Sequence, residues 1–319
     1  MSRRLARTGP AVGRKRRGIP IHGWLAIDKP AGLTSAAGVG KVRALTGAAK
    51  VGHGGTLDPL ATGVLPIALG EATKTVSYVM DCAKTYEFTV RWGEARATDD
   101  AEGAVVARSD VRPSGEAIAN ALPGLTGLVQ QTPPVYSAIK VDGARAYALA
   151  RSDAAPELAP REVRVDRFVL LGQLDADHAR FEVQSGKGCY MRALARDLAL
   201  AVGTVGYILD LRRTAVGRFT QETAISLEQL ASVGHSAPLS ELLLPVETAL
   251  DDIPALALTD MEARHLRQGR SIPVLPVATR SPPGILDQDH MVCAMAEGKP
   301  VALARVVGGE LRPVRVLNL

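Results

Sequence analysis

The sequence has few cysteines, and their arrangement suits neither a metal site nor a set of disulfides. Cys82, Cys189 and Cys293 are about a hundred residues apart, and none belongs to a CxxC motif. Paired CxxC motifs mark zinc sites, and closely spaced cysteines in short secreted chains mark disulfide frameworks. We therefore expect the cysteines to pack in the interior. An exposed reactive thiol is the less favoured alternative, and Cys189, in a Gly-rich turn, is the one to check.

Long apolar segments and an export signal are also missing. No apolar run approaches the roughly 20 residues that cross a bilayer. The first 18 residues are basic and contain no apolar stretch of the kind that makes a secretory signal. We therefore expect a soluble, cytoplasmic protein without a membrane partner.

Motifs of several common enzyme classes are absent. The sequence contains no G-x-S-x-G elbow and no HExxH zinc motif, and Gly38-Val39-Gly40 lacks the third glycine of a dinucleotide-binding loop. Gly70 to Thr75 resembles a phosphate loop in composition but not in spacing. We therefore expect no nucleotide hydrolysis, no cofactor and no metal.

Aromatic residues make up only 4% of the chain, and the charge is unevenly distributed. Without a row of aromatic platforms, the protein is expected to hold one or two bases in a pocket rather than coat a single strand. The net charge is +5, but the first 18 residues contain seven of the 38 basic residues and no acid, which leaves 31 basic against 33 acidic residues. The basic segment is compatible with sequence-independent attraction to nucleic acid or with a solubilising disordered tail.

The pattern of apolar residues predicts a mixed fold. At 319 residues, the chain is expected to form one large and one smaller domain. Apolar spacing and caps predict helices from Thr34 or Ser35 to about Leu45, ended by Gly47, and over Tyr190–Ala201. Predicted strands are Trp24–Ile27, Lys84–Trp92, Arg161–Leu171 and Arg180–Ser185. This irregular mixture favours an α+β domain with a mixed, largely antiparallel sheet flanked by helices.

Composition also suggests the domain boundaries. Residues 1–20 form the basic tail, residues 21–245 the main domain and residues 251–319 a small β-rich domain. Residues 133–160 are predicted to be an insertion. It is expected to contain a hairpin that turns at Asp142-Gly143 and leads into a short helix and an Ala/Pro-rich loop.

The densest candidate site is the Gly-rich loop from His53 to Gly63. Its only carboxylate is Asp58, and Pro59 restricts the Asp58 backbone to extended conformations. A fixed carboxylate in such a loop suits a catalytic group. Taken alone, the loop fits slightly better with an Asx turn that caps the next element.

Two other segments carry candidate residues. Ser185 to Arg192 is a glycine turn between a strand and a helix, whose amides could receive a phosphate and whose Arg192 could meet a carboxylate. A plain turn with a surface arginine is an equal alternative. Tyr86, near the start of a strand, could stack on a base, although a core tyrosine is the more common case.

Taken together, these segments closely resemble the TruB family of bacterial tRNA pseudouridine synthases, in order and spacing, from about Gly23 to the C-terminus. Gly52 to Pro66 resembles the catalytic loop of that family, and Gly186 to Arg192 resembles its arginine motif. One departure is the segment from Ala97 to Gly103, which has Ala97 where the family has an acidic residue.

The resemblance implies a pseudouridine synthase fold, a role for each matched residue and a substrate. Asp58 would be the catalytic aspartate and Arg192 its ion-pair partner, Tyr86 would pack against the target uracil, and His53 would help to hold the base flipped out. Lys74, Tyr190 and Leu211 would support substrate binding. The region 133–160 would grip RNA, the C-terminal domain would be of PUA type, and the target would be uridine 55 in the T arm of tRNA.

The implied reaction breaks the N1 glycosidic bond, turns the uracil and rejoins it through C5, which requires no cofactor. Asp58 would either attack the nucleotide or remove a ribose proton, and Tyr86 is a candidate base for the C5 proton. Two alternatives are a noncatalytic RNA-binding or tRNA-folding protein and the catalytic subunit of an RNA-guided synthase. We expect a free enzyme that needs neither a guide RNA nor a protein partner.

Overall fold

The computed structural model describes residues 18–137, 140–141, 144–145, 158–233, 238–281 and 289–319. Most of the predicted basic tail therefore lies outside the described residues, as do the Asp142-Gly143 turn and the short helix and Ala/Pro-rich loop predicted in the insertion. Within the predicted tail, Ile19 is described, and its backbone pairs with Ala48.

The described residues form eighteen strands. In chain order they are β1 Gly23–Lys29, β2 Val51–His53, β3 Thr62–Leu69, β4 Lys84–Trp92, β5 Glu94–Arg96, β6 Val105–Arg108, β7 Gly127–Gln131, β8 Lys140–Val141, β9 Ala144–Arg145, β10 Arg161–Gln173, β11 His178–Ser185, β12 Gly206–Val216, β13 Phe219–Thr220, β14 Ala255–Ala257, β15 Ile272–Pro273, β16 Met291–Ala296, β17 Lys299–Val307 and β18 Glu310–Val316.

Seven α-helices accompany these strands in the described part of the chain. They are α1 Ser35–Thr46, α2 Val76–Asp81, α3 Gly115–Ala121, α4 Met191–Ala201, α5 Leu227–Ser232, α6 Asp260–Arg267 and α7 Val274–Ala278. Short 3-10 turns cover Gly70–Lys74, Leu122–Leu125, Leu239–Glu241 and Val246–Leu250.

The main sheet has the order β1-β3-β12-β4-β11-β10-β7, with β2 and β13 paired to β3 and β12. Neighbouring strands are antiparallel except β3 and β12, which run parallel over a short register. This arrangement confirms the predicted α+β class with a mixed, largely antiparallel sheet. Its core is rich in aromatic contacts, in which Phe88, Phe168, Phe181 and Trp92 pack against one another.

Local sequence signals account for several of these elements. The Thr34 side chain accepts a hydrogen bond from the Ala37 amide and begins α1, and Gly47 ends that helix in the left-handed region at φ 65°. Strand β4 has the predicted bounds. The predicted strands that correspond to β10 and β11 are each two residues longer in the structure.

Strand β12 was not predicted, although it lies at the centre of the main sheet. It pairs with β3 on one side and β4 on the other, and its register with β4 shifts twice. Each shift changes the alternation of inward and outward side chains. The simple period-two pattern that identifies a strand from sequence is therefore lost.

The chain after Pro254 forms a second sheet with the order β14-β16-β17-β18-β15. Helix α6 packs on it, and its capping box at Thr259 and Glu262 satisfies the first backbone amides of the helix. This sheet encloses its own apolar core, which includes Leu256, Leu266 and Val301. A small β-rich unit is therefore present where the composition suggested one.

Two further predictions concern the insertion and the membrane. Strands β8 and β9 pair on either side of the predicted hairpin turn. Across the described ranges, no helix has both the length and the apolar character needed to cross a membrane.

Candidate active site

A cavity of about 330 Å³ lies where the Gly-rich loop meets the start of β4, the middle of β12 and the N-terminus of α4. Five of the seven predicted site residues line it, namely Asp58, Tyr86, Tyr190, Arg192 and Leu211. The sheet brings them together from positions more than a hundred residues apart in the chain.

Asp58 and Arg192 form an ion pair at the floor of the cavity. Arg192 Nη2 is 2.9 Å from Asp58 Oδ2, and the exposed fractions of the two side chains are 5% and 36%. The arginine is therefore fixed in the interior while the carboxylate faces the open space. Arg192 also donates to the carbonyls of Thr98 and Tyr136, each at 2.9 Å.

A buried arginine supports the Gly-rich loop from below. Arg213 is 1% exposed, and its Nε donates to the Val64 carbonyl at 2.8 Å. Its two terminal nitrogens donate to the carbonyls of Gly55 and Thr56. One side chain thus satisfies three backbone oxygens and determines the path of the loop toward Asp58.

The other side of the loop is held by Lys29 and Ser35. Lys29 Nζ donates to the Pro59 carbonyl at 3.2 Å, and the Ser35 hydroxyl both donates to the Leu57 carbonyl and accepts from the Leu57 amide. Residues on both sides of Asp58 are therefore anchored. Burial lowers the pKa of Lys29 to about 8, although the nearby Asp58 charge opposes the shift.

The N-terminus of α4 is fixed by Gln131, the last residue of β7. Its side-chain amide accepts from the Tyr190 amide at 2.8 Å and donates to the Tyr190 carbonyl at 3.2 Å. The Arg161 guanidinium lies 5.1 Å from the centre of the Tyr190 ring, a cation–π distance, and donates to the Gly188 carbonyl at 2.6 Å.

Tyr86 and Lys84 line the cavity from β4. Burial raises the pKa of the Tyr86 phenol, and the charge and hydrogen bond of Arg213 oppose this shift. The phenol is therefore neutral near pH 7. Burial also lowers the pKa of Lys84 to about 8, and its ammonium donates to the carbonyls of Met80 and Cys82.

The two remaining predicted residues lie outside this cavity. His53 is the last residue of β2 and the first of the Gly-rich loop, and its Nδ1 accepts from the Gly55 amide at 3.3 Å. Burial lowers the pKa of His53, and the Arg213 charge adds to this effect. Lys74 lines a different cavity with Lys50 and Arg315, where it donates to the Val316 carbonyl at 2.7 Å.

The cavity places the carboxylate of Asp58 among positively charged lysine and arginine side chains. Within the described ranges, no group of three or more His, Cys, Asp or Glu side chains is placed to bind a metal. Burial raises the pKa of the Cys189 thiol to about 11, which keeps it protonated. The site therefore offers one positioned carboxylate, a neutral phenol and hydrogen-bond donors, which suits acid–base or nucleophilic chemistry on a bound ring.

Four residues that support the site were not predicted from the sequence, namely Lys29, Lys84, Gln131 and Arg213. All four are buried polar side chains that hold backbone carbonyls or amides. A lone lysine or arginine in a sequence is usually a surface residue. The one available signal was proximity in the chain, because Arg213 follows Leu211 and Lys84 precedes Tyr86.

Comparisons with known proteins identify the family of the chain. The model of the TruB family pseudouridylate synthase N-terminal domain matches residues 43–191, and that of the tRNA pseudouridylate synthase B C-terminal domain matches residues 192–251. The tRNA pseudouridine synthase B of Rhodospirillum rubrum is 58% identical over 97% of this chain and 100% of that protein. The enzyme of the same name from Caulobacter vibrioides is 51% identical over 97% of this chain and 100% of its own.

Solved structures share the fold at low sequence identity. A Cbf5-Nop10-Gar1 complex contains a chain with a TM-score of 0.70 and 24% identity, covering 93% of this chain and 84% of that chain. An H/ACA RNP bound to a substrate RNA contains one with a TM-score of 0.70 and 22% identity. The solved structures show the fold alone, whereas the family models and the relatives above show that the chain belongs to the TruB family of pseudouridylate synthases and is an enzyme that isomerises uridine to pseudouridine.

Proposed function

We propose that this enzyme isomerises uridine 55 in the T loop of tRNA and that Asp58 is its catalytic carboxylate. The observation that carries the proposal is the Asp58–Arg192 pair, in which a half-exposed carboxylate faces the cavity and a buried guanidinium holds it. The relatives at 51% to 58% identity are named tRNA pseudouridine synthase B, which supports tRNA as the substrate.

The chemistry requires one group that acts at the ribose or the base and a second that accepts the C5 proton. Asp58 either attacks the nucleotide or abstracts a ribose proton, which frees the uracil to turn and rejoin through C5. Tyr86 packs against the uracil. Tyr86 is a neutral phenol, so its oxygen accepts the C5 proton only if its own hydroxyl proton leaves at the same time. A water molecule takes up that hydroxyl proton. Leu211 and Tyr190 form walls of the pocket.

The target nucleotide must leave its stack before it reaches Asp58. Extrusion costs a few kcal/mol, which contacts in the pocket and to the phosphates offset. His53 begins the Gly-rich loop, and burial lowers the pKa of its imidazole, which favours the neutral ring at pH 7. A neutral imidazole is suited to fill the vacated position by stacking, because it brings no charge into the base stack.

The rest of the tRNA is expected to contact basic surfaces away from the cavity. Lys74, Lys50 and Arg315 line a second cavity of about 600 Å³ between the main sheet and β18. Lys74 is paired with Glu71 at 2.6 Å, but the cleft keeps an excess of positive charge from Lys50 and Arg315, which suits the RNA backbone. We assign Lys74 to substrate binding there, and the second sheet to a PUA-like RNA-binding domain.

The enzyme acts without a guide RNA or an obligatory protein partner. The bacterial relatives match this chain over their full length, and they cover 95% to 97% of it. The structural neighbours in guide RNA complexes share only the fold, at 22% to 24% identity.

The test is to incubate the purified protein with an unmodified tRNA transcript and to map pseudouridine by mass spectrometry. Modification at position 55, and its loss when that uridine is replaced by cytidine, would support the proposal. Modification at a different uridine would contradict the assignment of uridine 55 as the target. Binding without any modification would favour a noncatalytic RNA-binding protein or a guide-dependent synthase.

A further inference from the structure

Two arginines one turn apart on α4 hold the same two chain segments. Residues four apart in a helix lie on one face, and Arg192 and Arg196 are so spaced. The first segment, the turn segment, is residues 98–100 after β5. The second, the insertion root, is residues 132–136, where the chain leaves β7 for the insertion.

Arg192 bridges the two segments next to the catalytic carboxylate. Its Nη1 donates to the Thr98 carbonyl in the turn segment, and its Nη2 donates to the Tyr136 carbonyl in the insertion root. The same Nη2 is the atom that meets Asp58. The direction of this nitrogen therefore depends on where the two segments lie.

Arg196 makes a second bridge between the same segments. Its Nη1 is 2.8 Å from Asp99 Oδ2 in the turn segment, and its Nη2 donates to the Thr132 carbonyl in the insertion root at 2.7 Å. It also contacts its neighbour Asp197 at 3.1 Å. In the described part of the chain, Arg196 is not among the residues that line the active-site cavity.

Asp99 combines a left-handed backbone conformation with a largely buried side chain. Its φ is 59°, in the left-handed region, which is uncommon for residues other than glycine. Its side chain is only 16% exposed, and its carbonyl accepts from the Ile208 amide in β12. Burial raises the pKa of this carboxyl, and the Arg196 charge is the largest influence that opposes the shift. Asp99 is therefore held through its side chain by Arg196 and through its backbone by Ile208.

We propose that Arg196, through its pair with Asp99, is a positioning residue for the isomerisation. It holds the turn segment and the insertion root together, so that the two carbonyls that receive Arg192 stay in place and Arg192 stays directed at Asp58. The inference rests on the proposed role of Asp58. It also links the insertion, which is expected to grip RNA, to the orientation of the catalytic pair.

Loss of Arg196 is expected to slow the isomerisation without weakening tRNA binding. Displacing a reacting group by about 1 Å can cost on the order of 100-fold in rate. Loss of Arg196 releases two segments whose carbonyls orient Arg192, whereas the cavity walls and the basic cleft at Lys74 stay unchanged. The chemical step should therefore slow while tRNA affinity is kept.

The experiment compares Arg196→Ala, Arg196→Lys and Asp99→Asn with the wild type. Three quantities are measured for each protein: the single-turnover rate of tritium release from C5-labelled tRNA at saturating enzyme, the Kd for product tRNA, and the thermal midpoint. Arg167→Ala is the matched control. It removes a different Arg–carboxylate pair, with Glu182, which is more exposed than the Arg196–Asp99 pair and contacts neither segment.

We expect Arg196→Ala and Asp99→Asn each to lower the rate by about tenfold or more, with Kd within about threefold of wild type and the control near wild type. A double variant that combines Arg196→Ala with Asp99→Asn should be no slower than the slower single variant, because both changes break the same bridge. Arg196→Lys should lose rate as well, since an ammonium lacks the fork that spans both partners.

Three results would overturn the inference. They are wild-type rates in the variants, a loss confined to Kd, or a rate loss that vanishes at temperatures well below the thermal midpoint. If Arg196→Ala does not fold, Asp99→Asn and Arg196→Lys decide the matter. A wild-type protein that releases no tritium would instead refute the proposed function.

Discussion

At the scale of single residues, the site is built from buried cations that surround one carboxylate. Lys29, Lys84, Arg192 and Arg213 are each at most 7% exposed. All of them donate hydrogen bonds to backbone carbonyls, and only Arg192 is paired directly with Asp58. Burial of a charged lysine costs free energy, and the lowered pKa values of Lys29 and Lys84 record that cost.

The first prediction concerns the pH dependence of stability. The pKa of Lys84 is about 8 in the folded protein and 10.5 ordinarily, so the unfolded chain binds more protons between these values. The Lys84 contribution to the unfolding free energy therefore rises as pH increases from about 8 to about 10. In urea titrations, wild type should gain stability relative to Lys84→Met over this range.

The control for this prediction is the exposed Lys299. The stability difference between wild type and Lys299→Met should stay constant over the same pH range. A constant difference for Lys84→Met would show that the Lys84 ammonium is not desolvated in the folded protein.

The second prediction concerns Gly63 at the end of the Gly-rich loop. Its φ is 99°, and an added Cβ would lie 2.1 Å from the Arg213 carbonyl oxygen. Both the dihedral and the contact with backbone exclude a side chain there. Gly63→Ala should lower the unfolding free energy by about 2 kcal/mol or more. Gly124→Ala, where the added Cβ meets no atom within 4 Å, should leave the thermal midpoint nearly unchanged. Equal midpoints for the two variants would contradict the steric explanation.

At the scale of secondary-structure elements, the sequence predicted those helices and strands whose caps, stops or alternation depend only on residues close together in the chain. Helix α1 was predicted from its Thr34 cap and Gly47 stop, and β4 from its alternation. Strand β12 was not predicted, because two register shifts break its pattern. The supporting contacts of the site were equally hidden, since Gln131 and Tyr190 are 59 residues apart and only the sheet brings them together.

The third prediction concerns the junction between β7 and α4. Gln131 is 1% exposed and satisfies both backbone groups of Tyr190. Gln131→Leu would leave the Tyr190 amide without a partner, at about 1–3 kcal/mol, whereas the Tyr190 carbonyl would keep the hydrogen bond from the Leu194 amide. We expect a lower thermal midpoint and slower turnover, because the N-terminus of α4 carries Arg192. Gln130→Leu, on the exposed face of the same strand, is the control, and a midpoint as low as that of Gln131→Leu would contradict the role of the buried amide.

At the scale of the whole molecule, the end of the chain fastens the second sheet to the first. Leu317, just after β18, is 1% exposed in a cluster with Trp24 and Phe219 of the main sheet. Nearby, Glu71 accepts from the Asn318 amide, and Lys74 donates to the Val316 carbonyl. The basic cleft at Lys74 depends on this attachment, because Arg315 comes from the second sheet and Lys50 from the main body.

The fourth prediction tests this attachment. Leu317→Ala removes a buried side chain at a cost of about 2–5 kcal/mol. Calorimetry should show a lower midpoint for the variant and separate unfolding of the two sheets. Leu319→Ala, at a 41% exposed position, should unfold like the wild type. A single unchanged transition in Leu317→Ala would show that the two sheets are joined by other contacts.

The most direct test of the central claim is a single-turnover measurement of tritium release from C5-labelled uridine in a T-arm RNA, comparing wild type with Asp58→Asn. The substitution preserves the size of the side chain and removes the carboxylate that Arg192 holds in the cavity. We predict release by the wild type and a loss of at least about a thousandfold in the variant, with an unchanged thermal midpoint and RNA affinity. Equal release by the two proteins would contradict the assignment of Asp58 and move catalysis to another residue.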